Sequence, residues 1–305
     1  MSDIELQPAK KYYRKLNGVT TFDIVLVVIM LVLCFITLYP VWYTVIYSFS
    51  DAKDALRGGF YWWPRILSLE SYKAVFNDKT IVDAFVLSIC RTVVGTLTSV
   101  LFTAMVGYAF SKKHIMGNKF YIIFGTITMF FGGGLIPTFI LIKNLGMYDS
   151  FWVYIIPSLF NFYNMIIFMS FFREMPASLE ESAKLDGAND FTIFVRLILP
   201  LSMPVVATIA LFNAVGHWND YFTGVIYINK QQLQPIQTYL YRVVASATAS
   251  RAAVSISGSA ASAATVTSKS IQYATMVVTT APVVCVYPFL QKHFVKGMMI
   301  GSIKG

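Results

Sequence analysis

The amino-acid sequence predicts an all-α integral membrane protein, and three observations support that class. Hydrophobic residues make up 56% of the 305 residues and charged residues only 13%, a balance outside the range of soluble globular domains. The mean hydropathy is +0.62. The apolar residues also fall in continuous runs without period-2 alternation, which favours membrane-spanning helices over a transmembrane barrel.

Six apolar runs predict six transmembrane helices, because a hydrocarbon core about 30 Å thick takes roughly 20 apolar residues per helix. The runs cover residues 24–47, 85–110, 120–142, 151–172, 191–215 and 273–290.

The polar intervals between these runs predict how the chain is organised. We expect, in order, a cytoplasmic tail over 1–21, a first transmembrane helix over 22–50, an external loop over 51–82, a core of five transmembrane helices over 83–296 and a cytoplasmic tail over 297–305. The core contains a polar cytoplasmic segment over 173–196 and a second external loop over 226–270.

The first run follows a basic N-terminal stretch, as the apolar part of a signal peptide does. Its apolar part is longer than the roughly 7 to 15 residues of a signal peptide, and no small-x-small cleavage site follows it. Four aromatic residues, Tyr39, Trp42, Tyr43 and Tyr47, cluster at its far end, where such rings favour the membrane interface. We therefore expect an uncleaved first helix.

The basic residues of the short loops predict the orientation, because Lys and Arg are retained on the cytoplasmic side. With six helices, three basic stretches fall on one side together with the segment 173–196. They are the N-terminal tail, the loop with Lys112, Lys113 and Lys119, and the C-terminal tail with Lys292, Lys296 and Lys304. The net charge of +9 is thus a topology signal, and nothing in the soluble parts indicates nucleic-acid binding.

Cysteine and histidine residues do not indicate a metal site. The three cysteines, Cys34, Cys90 and Cys285, lie singly inside predicted helices, and no C-x-x-C spacing occurs. The three histidines, His114, His217 and His293, have no partner at metal-ligand spacing.

The segment 173–196 predicts a short helix followed by a second one. Pro176 suits a first helical turn, and Glu180 and Glu181 favour the positive end of the helix dipole. Gly187 suits a left-handed C-cap, which predicts a helix of roughly ten residues, about 15 Å long. Asp190 suits the N-cap of the next helix. Without further observations, a solvated amphipathic loop explains these residues as well.

The spacing within this segment resembles the EAA loop of ABC importer permeases, E-A-A-x3-G-x9-I-x-L-P. The matching residues are Glu181, Ser182, Ala183, Gly187, Leu197, Leu199 and Pro200. The chain departs from the pattern at Ser182 and Leu197, and both substitutions keep size or apolarity. The flanking residues 173–176 and 218–221 resemble MalG-type permeases of the carbohydrate-uptake family, specifically the LplC/YtcP branch for complex oligosaccharides.

This resemblance implies a type I ABC importer permease (MalG/MetI-like) fold with a cytoplasmic coupling helix, in a bacterial cytoplasmic membrane with both termini cytoplasmic. The implied partners are a second, MalF-like permease, two cytoplasmic ATPase subunits, an extracellular solute-binding protein and an oligosaccharide. The implied ATPase-coupling residues are Glu181, Ser182, Ala183, Leu185, Asp186, Gly187, Leu199 and Pro200.

The chain itself lacks the G-x-x-x-x-G-K-[ST] loop that cradles phosphates. Gly132, Gly133 and Gly134 are the nearest Gly-rich candidate, yet no Lys follows them and they lie inside an apolar run. They suit close helix packing and, with Pro137, a bend in the third span. We therefore expect no catalytic activity and no bound cofactor in this chain, with ATP and Mg held by partner subunits.

Arg91 is a charged residue inside the second predicted span, where such residues are costly and mark functional sites by default. A pathway-lining guanidinium would suit carboxylates, so uronate-containing oligosaccharides are attractive substrates. Snorkelling to the external interface is the alternative.

Other polar residues are candidates for the substrate pathway. Trp218, Asn219 and Asp220 could bind a sugar, although an interfacial anchor explains Trp218 equally. Helix–helix hydrogen bonding is an alternative role for the asparagines within spans. These are Asn161, Asn164 and Asn213.

The external stretch 245–270 is nearly all Ala, Ser, Thr and Val, and alone it suits a mobile loop. The resemblance implies docking of the sugar-binding protein there, and an inert insertion is the alternative. For the whole chain, the rival function is a stand-alone secondary transporter or channel, which predicts midplane carboxylates and an inverted repeat. Acidic residues avoid the span centres, which disfavours that rival.

Overall fold

The computed structural model describes residues 21–51, 62–112, 114–257 and 270–285. Over these ranges the chain consists of helices and turns, with one isolated bridge between Ser50 and Leu67. The predicted all-α class is therefore confirmed. The predicted tails and most of the stretch 258–270 lie outside the described residues.

Twelve helices are labelled here in chain order. The first six are α1 (Thr21–Ser48), α2 (Glu70–Asn77), α3 (Lys79–Ser111), α4 (Asn118–Phe130), α5 (Leu135–Asn144) and α6 (Phe162–Arg173). The next six are α7 (Ala177–Leu185), α8 (Asp190–Leu201), α9 (Met203–Asn219), α10 (Phe222–Tyr227), α11 (Ile236–Ser257) and α12 (Ser270–Cys285). Short 3-10 turns cover Phe151–Tyr154 and Gln231–Leu233.

Among the described residues, α1 and α3 are each long and apolar enough to cross a membrane. Two bent pairs, α4 with α5 and α8 with α9, bring the number to four if each pair counts as one span, and α12 is a shorter apolar helix. The structure therefore gives two to four candidate spans.

The third and fourth predicted spans are not continuous helices. The run 120–142 is divided into α4 and α5, whose axes differ by 114°. The break ends at Gly134, which has φ +84°, a conformation that glycine adopts without steric cost. The run 151–172 begins as a 3-10 turn and becomes α-helical only at Phe162.

The fifth predicted span bends by 84° between α8 and α9. Pro200 and Pro204 cannot donate backbone hydrogen bonds, so each leaves a carbonyl of the preceding turn without its helical partner. Ser202 lies at the bend, and its hydroxyl donates to the Ile198 carbonyl at 2.6 Å. Just before the prolines, Phe194–Ile198 forms a π-helical turn, which widens the helix by one residue.

The predicted external loop 226–270 contains a 22-residue helix, α11. The Ala-rich part is therefore helical as far as Ser257. Alanine has the highest helix propensity, and this preference outweighs the small apolar surface that made the stretch resemble a loop.

The core forms where α3 packs against α6 and α9. Two glycines of α3 allow this close approach. A Cβ atom at Gly95 would lie 2.5 Å from the His217 ring of α9, and one at Gly107 would lie 2.8 Å from Cβ of Phe168 in α6. Beside these crossings, a hydrophobic cluster joins α3, α6, α8 and α9.

Candidate coupling and transport sites

The helix α7 lies on the surface, and none of its nine residues is buried. Pro176 directly precedes it with φ −60° and ψ 127°, so this proline is the N-cap residue and not part of the first turn. At the other end Gly187 has φ +80°. The Ala188 amide donates to the Ala183 carbonyl and the Gly187 amide to the Lys184 carbonyl, both at 3.0 Å. This pair of bonds is a Schellman C-cap.

The next helix, α8, is capped by Asn189. The sequence had suggested Asp190 as the capping residue. The Asn189 side chain accepts a hydrogen bond from the Thr192 amide at 2.8 Å. Asp190 instead pairs with Lys184 at 3.1 Å, and this hydrogen bond raises the pKa of Lys184 above its ordinary value. The two helices are thus linked across Gly187 by backbone and side-chain contacts.

Two contacts attach α7 to the spanning helices. Ala183 packs against the hydrophobic cluster formed by α3, α6, α8 and α9. Glu180 accepts a hydrogen bond from Lys112, the residue that follows α3. The Lys112 ammonium also lies 4.2 Å from the centre of the Tyr108 ring. A displacement of α7 would therefore act on α3 directly.

The remaining surface of α7 faces away from the chain. The Leu185 side chain is 90% exposed, which is unusual for a residue of this type at the end of a helix. Glu181, Ser182, Asp186 and Gly187 are exposed as well. Of the residues predicted to couple, Ala183 and Leu199 pack inward, and Pro200 forms the bend.

Lys112→Gln should weaken the attachment of α7 to α3, because Glu180 loses its cation. A partly exposed pair contributes up to about 1 kcal/mol, so we expect a two- to fivefold loss of ATPase activity stimulated by a substrate-loaded binding protein in the reconstituted transporter. Glu180→Gln should match it. The exchange of both charges, Lys112→Glu with Glu180→Lys, should recover part of the loss, and a charge exchange no better than either single variant would contradict the role of this pair.

A second group of polar residues lies around the middle of α3, well away from Lys112. Arg91 is 21 positions before Lys112, about 30 Å along a helix. Its side chain is 1% exposed, so the guanidinium is held inside the chain and does not snorkel. It donates from Nη2 to Asp220 Oδ2 at 2.6 Å and from Nη1 to the Asp220 carbonyl at 3.1 Å.

Asp220 stands at the break between α9 and α10. Its Oδ1 accepts a hydrogen bond from the Thr223 amide at 3.1 Å, and its side chain remains 29% exposed. The Arg91 guanidinium also lies 4.3 Å above the Tyr154 ring, and the Tyr154 hydroxyl donates to the Leu233 carbonyl at 2.8 Å. Arg91 therefore joins α3 to two other parts of the chain, and Tyr154 extends this contact to Leu233.

A polar cleft of about 330 Å³ opens beside this ion pair. Its lining comprises Val153, Tyr154, Pro157, Ser158, Phe212, Asn213, Gly216, His217, Asp220 and Thr223. Asp220 and Asn213 were predicted from the sequence. Tyr154, Ser158 and His217 also line the cleft and were not identified from the sequence. Tyr154 and Ser158 stand among apolar residues, whereas His217 directly precedes Trp218, Asn219 and Asp220, which was the signal that could have found it.

The other pathway candidates lie outside this lining. The Trp218 indole is 7% exposed and donates to the Thr279 carbonyl at 3.0 Å, so it packs inside the protein. Asn219 is exposed. Asn161 caps α6 by accepting a hydrogen bond from the Asn164 amide at 2.9 Å. Asn213, by contrast, does line the cleft, and its side chain accepts a hydrogen bond from Ser99 of α3 at 3.4 Å.

Membrane-length helices, an exposed capped helix and an internal polar cleft define a helical membrane transport protein. Residues 72–300 match the family model of the binding-protein-dependent transport system inner membrane component. The chain belongs to this family of ABC transporter permeases, as the EAA-like spacing indicated. This membership places it in the inner membrane and sets aside the stand-alone secondary transporter or channel.

Similar proteins cover nearly the whole chain. The polygalacturonan/rhamnogalacturonan transport system permease protein YtcP of Bacillus subtilis (strain 168) is 38% identical over 93% of this chain and 98% of its own length. The protein LplC of the same organism is 40% identical over 88% and 90%. A crystal structure of a bacterial ABC transporter involved in the import of the acidic polysaccharide alginate matches with a TM-score of 0.80 and 30% identity, over 90% of this chain and 96% of the other. The MetI-like permease fold and the resemblance to the LplC/YtcP branch are thereby confirmed.

Proposed function

We propose that this chain is the transmembrane permease subunit of an ATP-driven importer for uronate-containing oligosaccharides. The chemical class rests on two similar proteins whose descriptions agree. One is a polygalacturonan/rhamnogalacturonan permease and the other an importer of an acidic polysaccharide. Both are at least 30% identical to this chain over 90% of its length or more, and both descriptions name polymers that contain uronic acids.

The coupling function is carried by one observation: α7 presents exposed residues outward while Ala183 and Glu180 attach it to the spanning helices. We propose that α7 inserts into a groove of a cytoplasmic ATPase, with Leu185 as its apolar contact. Closure of the ATPases on ATP and Mg would then move α7 and, through α3 and α8, the transport pathway.

The complete transporter would contain a second, MalF-like permease, two ATPase subunits and an extracellular solute-binding protein. Six spans with both termini cytoplasmic would place α7 and Lys112 on the cytoplasmic side of the membrane. The polar cleft and α11 would then lie toward the external side, where α11 is positioned to contact the binding protein.

The polar cleft is the proposed contribution of this chain to the substrate pathway. Asp220, Asn213 and Ser158 provide hydrogen-bonding groups for sugar hydroxyls, and the Phe212 ring, 51% exposed, provides an apolar face. Arg91 is covered by its partners and would act on the sugar only through Asp220. Trp218 lies outside the cleft lining and packs inside the protein.

Purification of the tagged chain with the products of neighbouring genes tests this function. We expect recovery of an ATPase that the loaded binding protein stimulates. Gly187→Asp should uncouple it, because a residue with a Cβ atom is strained at φ +80° and the Schellman cap would open. A chain that purifies alone and transports without ATP would refute the proposal.

A further inference from the structure

The polar cleft contains one anionic side chain, Asp220, and its charge is opposed by Arg91 at 2.6 Å. We propose that Arg91 is a specificity-determining residue that never touches the substrate. By neutralising Asp220, it makes the cleft passable for acidic oligosaccharides. This inference rests on the proposed function, and it identifies what sets the charge selectivity of the same site.

The geometry separates the two members of the pair. Asp220 lines the cleft and is 29% exposed, whereas Arg91 is 1% exposed and is not part of the lining. A sugar in the cleft would therefore meet the carboxylate, which accepts hydrogen bonds from hydroxyl groups. The guanidinium would act on a uronate only through its field, over a distance longer than a hydrogen bond.

The charges are fixed by their surroundings. Arginine keeps its proton in proteins, so the cation persists even when Asp220 is replaced. Asp220 keeps contact with solvent and accepts a hydrogen bond from the Thr223 amide at 3.1 Å, so its carboxylate retains these partners when Arg91 is replaced.

Replacement of either partner should therefore shift charge selectivity, and in opposite directions. A unit charge about 8 Å from a substrate carboxylate, in a partly hydrated site, changes its relative transport by about fivefold or more. Arg91→Gln exposes the anion and should disfavour acidic sugars. Asp220→Asn exposes the cation and should favour them. The double variant should return the selectivity to that of the wild type.

The experiment compares two substrates that differ in charge. The complete transporter, reconstituted in vesicles with ATP inside, is supplied with binding protein loaded with trigalacturonic acid or with its methyl ester. The measured quantity is the ratio of the two uptake rates, acid over ester. Effects on folding or on ATPase coupling change both uptake rates alike, so they cancel in this ratio. The preference of the binding protein for one substrate is the same for every variant, so it cancels when the ratios of two variants are compared.

We expect the ratio to fall at least fivefold in Arg91→Gln and to rise at least fivefold in Asp220→Asn, relative to the wild type. Lys230→Gln is the matched control, because Lys230 pairs with Asp149 outside the cleft lining, and its ratio should stay unchanged. Arg91→Gln removes a buried partner. If this variant does not fold, Asp220→Asn and the double variant carry the test.

An unchanged ratio in Asp220→Asn, or a shift in the same direction in both single variants, would overturn the charge-masking role while leaving the importer function intact. A wild-type transporter that takes up neither substrate with ATP would overturn the proposed function and this inference together.

Discussion

Leu185→Asp should abolish recovery of the ATPase with the tagged chain while the permease itself stays folded. The Leu185 side chain is 90% exposed in the isolated chain, so its replacement removes no internal packing. Burial of a leucine at an interface contributes about 1.5–3 kcal/mol, and a carboxylate in an apolar groove adds an unpaired charge. A total loss of about 3–4 kcal/mol corresponds to a 150- to 1000-fold weaker complex.

The measurement is the amount of ATPase recovered per permease after affinity purification, together with the thermal transition of the permease. Leu145→Asp is the matched control. Leu145 is 59% exposed and lies beyond α5, next to Ile142 of the cluster that also contains Tyr154. It should bind the ATPase as the wild type does. Normal recovery with Leu185→Asp would rule out Leu185 as the apolar contact of α7.

The short helix of the coupling segment could be predicted well because its signals are local. A glycine at the left-handed position ends a helix by rules that involve only the preceding turn, and the observed helix has nine residues where about ten were expected. The prediction of the capping residue of α8 was wrong by one position. Asn189 and Asp190 are both good caps, and the choice between them follows from the bond of Ala188 to Ala183, which no propensity encodes.

The continuity of the spans could not be predicted from hydropathy. An average over about 20 residues gives the same value whether the backbone is straight or bent, so 120–142 and 191–215 resembled single spans. A bend in the third span was nevertheless predicted from glycines 132–134 with Pro137, whereas Pro200 and Pro204, the signals for the second bend, were not interpreted in that way. The bend angles of 114° and 84° depend on packing against other helices, which composition does not describe.

The polar cleft could be predicted only in part. Arg91 and Asp220 were both identified as unusual residues, yet they are 129 positions apart, and nothing in one sequence joins them. The guanidinium proposed from the sequence to suit a uronate is bound to a carboxylate of its own chain. Tyr154 was missed because a single polar residue in an apolar run is usually explained by local packing, and His217 was missed although it directly precedes Trp218, Asn219 and Asp220.

Gly107→Ala should destabilise the transporter, although alanine is the better helix former. Its Cβ atom would lie 2.8 Å from Cβ of Phe168 and 3.2 Å from the Met165 carbonyl oxygen of α6. Since neither atom belongs to the flexible end of a side chain, the crossing of α3 and α6 must open. Overpacking of this kind costs about 1–3 kcal/mol, or roughly 2–6 °C in the thermal transition of a chain of this size.

Gly216→Ala in α9 is the control that separates packing from helix propensity. No atom lies within 4 Å of the added Cβ atom, and alanine in place of a helical glycine gains about 0.5–1 kcal/mol. The transition of the purified protein should therefore rise or stay unchanged with Gly216→Ala, fall with Gly107→Ala, and be lost with Gly107→Val, whose further carbons meet the same backbone. Equal effects of the two alanine variants would mean that α3 and α6 do not cross at Gly107. In that case α7 would have to act on the spanning helices by a different path.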